Sequence, residues 1–342
     1  MSLQSNAHLQ EPQQESGSVD TLLSNAIALV QDELDGVNET IRTRLDSDIA
    51  LINTLGAYII KSGGKRMRPL ILLLCARACG GNSPHGVTLA AVIEFIHTAT
   101  LLHDDVVDAS SLRRGQPTAN DVWGNEASVL VGDFLYSRSF EMMVETNNME
   151  VMRILAGTTN AIAEGEVMQL LNAHTPDTSE EVYLETIKRK TAKLFESAAW
   201  LGAVVSDQSD EVCQSLSAYG LHLGIAFQLI DDIMDYVADS DQIGKNIGDD
   251  LSEGKPTLPL IYSMQNGTQA QSQVVRQAIE EGEVDKIDQI VEIVKSTGAL
   301  DYTAKKAELQ VEKAIQCLKC IPESEYKLAL ADLARFSVSR NI

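Results

Sequence analysis

From Val19 onward, apolar side chains return every three or four positions, as at Leu22, Ile27, Val30 and Leu34, and again at Leu51, Leu55, Tyr58 and Ile59. That spacing lines one face of an α-helix, and no stretch sustains the alternation of a strand. Segments 87–103 and 216–234 are apolar around most of their circumference, which marks helices enclosed by other helices. Short breakers separate the runs: SGGK at 62–65, GGNSPHG at 80–86, RRGQPT at 113–118, HTPDTS at 174–179, DSDQIGKNIGDD at 239–250 and EGKPT at 253–257. The pattern predicts roughly a dozen helices in an all-α fold, a single large bundle with no linker-like shift in composition. The last third, from Ser272, is more charged and reads as peripheral helices. Residues 1–18 are polar and Gln-rich, and are read as a disordered tail before one helical domain at 19–342.

Charge narrows the partners. The 342 residues carry 27 Lys+Arg against 49 Asp+Glu, a net −22, which argues against nucleic acid. Only 8 prolines suit long uninterrupted helices. No apolar run reaches the roughly 18 residues of a membrane span, so no transmembrane segment is expected. The N-terminus has no basic-then-apolar export signal, and the expected location is cytoplasmic. Five scattered cysteines fit reduced thiols, and the CxxC at Cys317 and Cys320 reads as ordinary helix positions.

Two motifs carry candidate chemistry. Asp104, Asp105 and Asp108 form one DDxxD; Asp231, Asp232 and Asp235 form another, and both directly follow strongly apolar helices. On a helix, Asp104 with Asp108 and Asp231 with Asp235 present paired carboxylates on one face. Such pairs repel unless a cation neutralises them, and an oxygen-only set suits Mg²⁺ shared with a substrate phosphate. Bases gather at the same loops: Lys65, Arg66 and Arg68 in GGKRMRP, Arg113 and Arg114 after the first motif, Lys245 and Lys255 after the second. In an acidic chain this placement points to a bound anion, and guanidinium forks match phosphate. GGKRMRP lacks the spacing of a Walker loop, so no nucleotide is implied. Glu94 and His97 form an ExxH without the second copy that a di-iron bundle needs, which leaves His97 as either a core histidine or an anion contact.

Together with LRRG, RKTA, FQLIDD and GKNIGDDLSEGKPTLP, these motifs make the chain resemble the trans (E)-polyprenyl diphosphate synthases, and among them the bacterial octaprenyl diphosphate synthases of quinone side-chain synthesis. The resemblance runs from about Val19 to the C-terminus and implies an isoprenoid-synthase helical bundle with a central cavity, working as a homodimer. It implies that Asp104, Asp105, Asp108, Asp231 and Asp235 hold Mg²⁺ against an allylic diphosphate such as farnesyl diphosphate, with Asp232 and Asp249 in support. Arg113, Lys190 and Lys245 would bind the same diphosphate, with Lys255 beside them. Lys65, Arg68, His97 and Arg114 would grip isopentenyl diphosphate, while Thr191 and Gln228 face the reacting carbons. Two diphosphates of about −3 each and the six motif aspartates, set against seven bases, leave roughly −5, which three Mg²⁺ bring to about +1. A class I terpene cyclase shares the first motif but has no use for Lys65 and Arg68, and a non-catalytic partner of a heteromeric synthase is the other open reading. Product length is expected to depend on the helix before Asp104. Thr100 and Ala99 lie four and five positions upstream, both small enough to leave a tunnel open, with a floor at Met142, Met143 or Leu155.

Overall fold

The computed structural model describes residues 16–61, 64–113, 115–237, 248–282 and 285–339. Among the described residues the helices are α1 (Ser16–Ala28), α2 (Gln31–Arg44), α3 (Ala50–Lys61), α4 (Met67–Ala78), α5 (His85–Val107), α6 (Ala119–Trp123), α7 (Asn125–Glu145), α8 (Met149–Asn172), α9 (Glu180–Ile187), α10 (Lys193–Val204) and α11 (Asp210–Val237). They continue with α12 (Asp249–Ser252), α13 (Leu258–Asn266), α14 (Gln269–Glu281), α15 (Ile287–Ser296), α16 (Ala299–Cys317) and α17 (Glu325–Val338). The helices outnumber the predicted dozen, in part because short ones, α6 and α12, sit inside or beside the breakers. The remainder of the predicted tail, residues 1–15, lies outside the described residues, and Ser16–Ser18 already belong to α1. One antiparallel ribbon, β1 (Leu112–Arg113) with β2 (Gln116–Pro117), follows the first aspartate motif.

The two segments expected to be enclosed are enclosed. α5 packs against α2, α4 and α7, and α11 against α10 and α16. Leu89 through Ile93 and Ile96 on α5 are removed from solvent, as are Leu216, Tyr219, Leu223 and Ala226 on α11. Each fully buried Leu or Ile is worth roughly 1.5–3 kcal/mol. The Tyr219 hydroxyl, buried with them, donates to the Leu330 carbonyl at 2.8 Å. The peripheral helices α13–α15 build a smaller second core around Tyr236, Leu251, Leu260, Val275 and Ile279. All five cysteines are free thiols.

α5 corrects one expectation. At 23 residues with a mean hydropathy of 1.4, it is long and apolar enough to cross a membrane by length and composition. Its apolarity serves the bundle interior instead, since 67 % of that stretch is buried against neighbouring helices.

Both central helices end in acid. α5 has no basic residue in its last turn and stops at Val107 with Asp108 as its C-cap, and α11 runs to Val237 with none either. A helix C-terminus already carries about half a negative charge, so each DDxxD adds carboxylates where they are least favourable. This cost marks the place where the bundle needs cations.

Candidate active site

The aspartates at the first and fifth positions of each motif share a face, and the one at the second position points roughly 100° away. Asp105 is therefore turned inward, 4 % exposed, where it accepts from Arg113 Nε at 2.7 Å and pairs with its second guanidinium nitrogen at 2.6 Å. Oδ1 of Asp105, expected among the metal ligands, is taken up in holding Arg113 beside the end of α5. Burial pushes its carboxyl up, against the pull of Arg113. Asp232 is the counterpart on α11, 1 % exposed. It accepts from the Tyr183 hydroxyl and from Gln228 Nε2, the latter at 2.8 Å, and Gln228 Oε1 in turn accepts from the Thr191 hydroxyl at 2.9 Å. Burial and then the charge of Asp250 push Asp232 up to about 8. The acids on the other face are thus Asp104 and Asp108, both partly buried, with Asp231, which is exposed, and Asp235.

Two ammonium groups stand against the first motif. Lys190 Nζ lies 3.5 Å from Asp104 and 2.5 Å from Glu166 on α8; Lys255 Nζ lies 3.0 Å from Asp108 and also pairs with Glu253. Burial works against the charged form of Lys255, but Asp250, Glu253 and Asp108 outweigh it and raise its pKa. Glu166 is pushed up to about 7, first by burial and then by the charge of Asp104. Lys190 and Thr191 belong to a five-residue π turn, Lys188–Ala192, the kind of helix irregularity that concentrates at functional sites. The second motif joins the same cleft through this turn, because Thr191 contacts Gln228 and Gln228 contacts Asp232.

Two glycines let the neighbouring helices press onto the π turn. A Cβ on Gly165 of α8 would lie 2.5 Å from the Lys190 backbone nitrogen, and one on Gly224 of α11 would lie 2.6 Å from Ala192 Cα. Gly224→Ala is expected to cost about 1–3 kcal/mol in a denaturant titration, because the obstacle is backbone. It should also lower turnover by moving Lys190 and Thr191; an unchanged unfolding midpoint would show that the helices have room to part.

GGKRMRP lies at the start of α4. Arg66, in the left-handed region with φ 47°, pairs with the buried Glu94, so Glu94 anchors this loop and the ExxH dissolves as a unit. The Arg68 guanidinium lies 4.4 Å from the ring centroid of Phe195, one helical turn beyond Thr191, and Lys65 lies 5.3 Å from that of Phe336. These stacks hold both bases extended, Arg68 next to the π turn. His97 is half-buried on α5. Arg114 and Lys245 lie outside the described residues.

Among the described residues, no three carboxylate, imidazole or thiol groups converge into an all-protein metal cage. The donor set nevertheless fits Mg²⁺. That ion is ordinarily held by one or two carboxylates, completed by water and substrate phosphate, and Asp104, Asp108, Asp231 and Asp235 offer hard oxygens only. Crowding of acids at two helix ends, with lysines already drawn to them, is the electrostatic state such an ion relieves.

Residues 49–294 match the polyprenyl synthetase family. The chain belongs to that family. It is 49 % identical over 314 residues to the octaprenyl diphosphate synthase of Escherichia coli (strain K12), covering 92 % of this chain and 97 % of the relative. It is 47 % identical over 315 residues, with 92 % and 97 % covered, to an all-trans-nonaprenyl-diphosphate synthase (geranyl-diphosphate specific) of Rhodobacter capsulatus. A crystal structure of a polyprenyl synthase from Caulobacter crescentus CB15, complexed with calcium and isoprenyl diphosphate, superposes with a TM-score of 0.91 at 44 % identity, covering 96 % of this chain and 100 % of that one. The all-α bundle of the isoprenoid synthase type is therefore the fold of this polyprenyl synthetase.

In the synthetase, Ala99, Met142, Met143 and Leu155 are all fully buried in the main core, on α5, α7 and α8. Thr100 is part-buried and its hydroxyl is turned back to the His97 carbonyl at 2.7 Å. Sequence reasoning missed Glu166, Glu253 and Tyr183. Nothing local singles them out, and only the fold shows that they hold Lys190, Lys255 and Asp232.

Proposed function

We propose that this synthetase condenses isopentenyl diphosphate units onto an allylic diphosphate such as farnesyl diphosphate, making a long all-trans polyprenyl diphosphate of octaprenyl length for a quinone side chain. The observation that carries the site assignment is the pair of central helices that both end in clustered aspartates, linked to one another through the π turn.

Asp104, Asp108, Asp231 and Asp235 would hold Mg²⁺, three ions by the charge count. Bound there, the metal supplies the positive charge that draws electrons from the diphosphate as the allylic C–O bond ionises. Lys190, Lys255 and Arg113 receive the departing diphosphate, and Lys245 joins them by resemblance. Lys65, Arg68, His97 and Arg114 hold isopentenyl diphosphate so that its alkene meets the allylic carbocation. The Thr191 hydroxyl proton is committed to Gln228, so the Thr191 oxygen turns its lone pairs toward the developing cation. The released diphosphate, held beside the new bond, takes the proton that completes the alkene. Asp105 and Asp232 serve by fixing Arg113 and Gln228.

Below the aspartates, the growing tail runs down α5 past Thr100 and Ala99 toward Met142, Met143 or Leu155. A second copy of the chain covers α7 and α8, where Leu130, Val144, Met149, Val167, Leu170 and Leu171 are exposed. A cytoplasmic location goes with this reading.

The test is synthesis by the purified chain from farnesyl and isopentenyl diphosphates with Mg²⁺, followed by mass analysis of the dephosphorylated product. The expected product is an octaprenyl alcohol, EDTA should abolish its formation, and excess Mg²⁺ should restore it. Synthesis undiminished by EDTA would remove the metal assignment, and no elongation at all would favour a non-catalytic partner.

A further inference from the structure

We infer that His174, which belongs to neither aspartate motif, is a positioning residue for the reaction: it straps the loop carrying Glu253, Gly254 and Lys255 to the end of α14 and so sets the Lys255 ammonium against Asp108. This rests on the assignment of Lys255 to the diphosphate site.

His174 sits between α8 and α9 in the left-handed region, φ 57°, a conformation that a non-glycine residue keeps only when its surroundings impose it. Its backbone N–H donates to the Gly254 carbonyl at 2.8 Å. Its ring Nδ1 lies 3.1 Å from the Ile279 carbonyl; because a carbonyl only accepts, Nδ1 carries the proton. One residue thus ties together the loop after α12 and the last turn of α14.

The contact with Gly254 is closed on the other side as well. Gly254 has φ +65°, and a Cβ built there would fall 2.3 Å from His174 Nδ1 and 2.5 Å from Cε1, so the imidazole fills the space that only a glycine leaves. Gly282, past the end of α14, comes within 3.4 Å of the same ring by that measure.

Lys255 follows Gly254 directly. Its backbone N–H donates to the Asp250 carbonyl at 2.9 Å, and its largely buried side chain reaches Asp108 at 3.0 Å. With the Gly254 carbonyl pinned from one side and the Lys255 N–H from the other, the backbone at the root of the lysine has no freedom to slide. The same helix that delivers His174 also carries Glu166, which holds Lys190 beside Asp104. α8 and the residues just after it therefore govern both lysine–aspartate contacts of the first motif. Removing the strap should let Lys255 wander, and displacements on the order of 1 Å in a group that orients substrate can cost up to about 100-fold in rate.

The test is a double-mutant cycle in the full-length enzyme, reading kcat/KM for farnesyl diphosphate and, separately, KM for isopentenyl diphosphate. His174→Gly removes the ring while suiting the positive φ, so the backbone is relieved rather than strained. It should lower kcat/KM for the allylic substrate about tenfold and leave KM for isopentenyl diphosphate unchanged, because only one diphosphate loses its lysine. In a Lys255→Ala background the same change should cost less than about twofold. His174→Asn, which tolerates the left-handed region and keeps a side-chain N–H for Ile279, should recover most of the loss. Effects of His174→Gly and Lys255→Ala that simply multiply would overturn the strap while leaving the site assignment intact. Wild-type rates in Lys255→Ala alone would overturn the placement of Lys255, and the strap with it.

Discussion

Asp104→Ala is expected to reduce kcat by about 1,000-fold or more while the helical fold persists, since a group that anchors charge at the ionising bond is worth several kcal/mol in the transition state. The structure separates the two effects. Asp104 lies in the last turn of α5, where a carboxylate opposes the helix dipole, so its loss relieves repulsion and should leave the melting temperature unchanged or higher. Lys190 keeps Glu166 as a partner and is not stranded. Asp105→Ala should behave in the opposite sense: it strips Arg113 of its carboxylate partner, and the melting temperature should fall, by less than for a fully enclosed pair because Arg113 reaches solvent. Steady-state turnover with circular-dichroism melts of both variants checks this. Wild-type turnover in Asp104→Ala would contradict the metal-facing role, and equal melting losses in the two would contradict the division between facing and inward aspartates.

Ala99→Phe is expected to shorten the product sharply. Ala99 precedes Asp104 by five residues, about 7.5 Å along the helix axis, and is fully buried. A phenyl ring at that depth narrows the path about one and a half helical turns below the aspartates, so growth of the tail should stop after fewer additions. The extra volume should also cost about 1–3 kcal/mol, so the variant is to be assayed well below its melting temperature. Mass spectra of the dephosphorylated products report the outcome directly, and an unchanged length distribution would retire the path down α5.

What could be read from the sequence is what periodicity encodes. The encircling apolarity of 87–103 and 216–234 gave the two central helices, and the i, i+4 relation paired Asp104 with Asp108 and Asp231 with Asp235. The same relation, applied to the aspartate at the second position of each motif, already turns Asp105 away from those at the first and fifth. All three aspartates of the first motif were expected at the metal, with Asp232 of the second only in support, and the contact with Arg113 distinguishes Asp105 from its neighbours. The span test also failed on α5 for a plain reason: apolarity on every side of a helix serves a crowded bundle as well as a bilayer. Glu166, Tyr183, Glu253 and His174 were not legible at all. Each acts across a tertiary contact, 24 residues from Lys190 in the case of Glu166 and 49 from Asp232 in that of Tyr183, and no spacing rule spans such a gap. The π turn was invisible for a related reason, since RKTA has ordinary helical composition and the close approach of Gly165 and Gly224 to the turn is a tertiary contact.

The lysines lodged against Asp104 and Asp108 bear on how a charged substrate reaches a protein that is itself strongly anionic. At net −22 the molecule as a whole pushes a diphosphate away, but in physiological salt that repulsion fades within about 8 Å. At the mouth itself, Lys190 and Lys255 offset part of the carboxylate charge around Asp104 and Asp108, and bound cations supply the rest of what an arriving anion needs. Capture then belongs to the last few ångströms of approach, and long-distance attraction has no share in it.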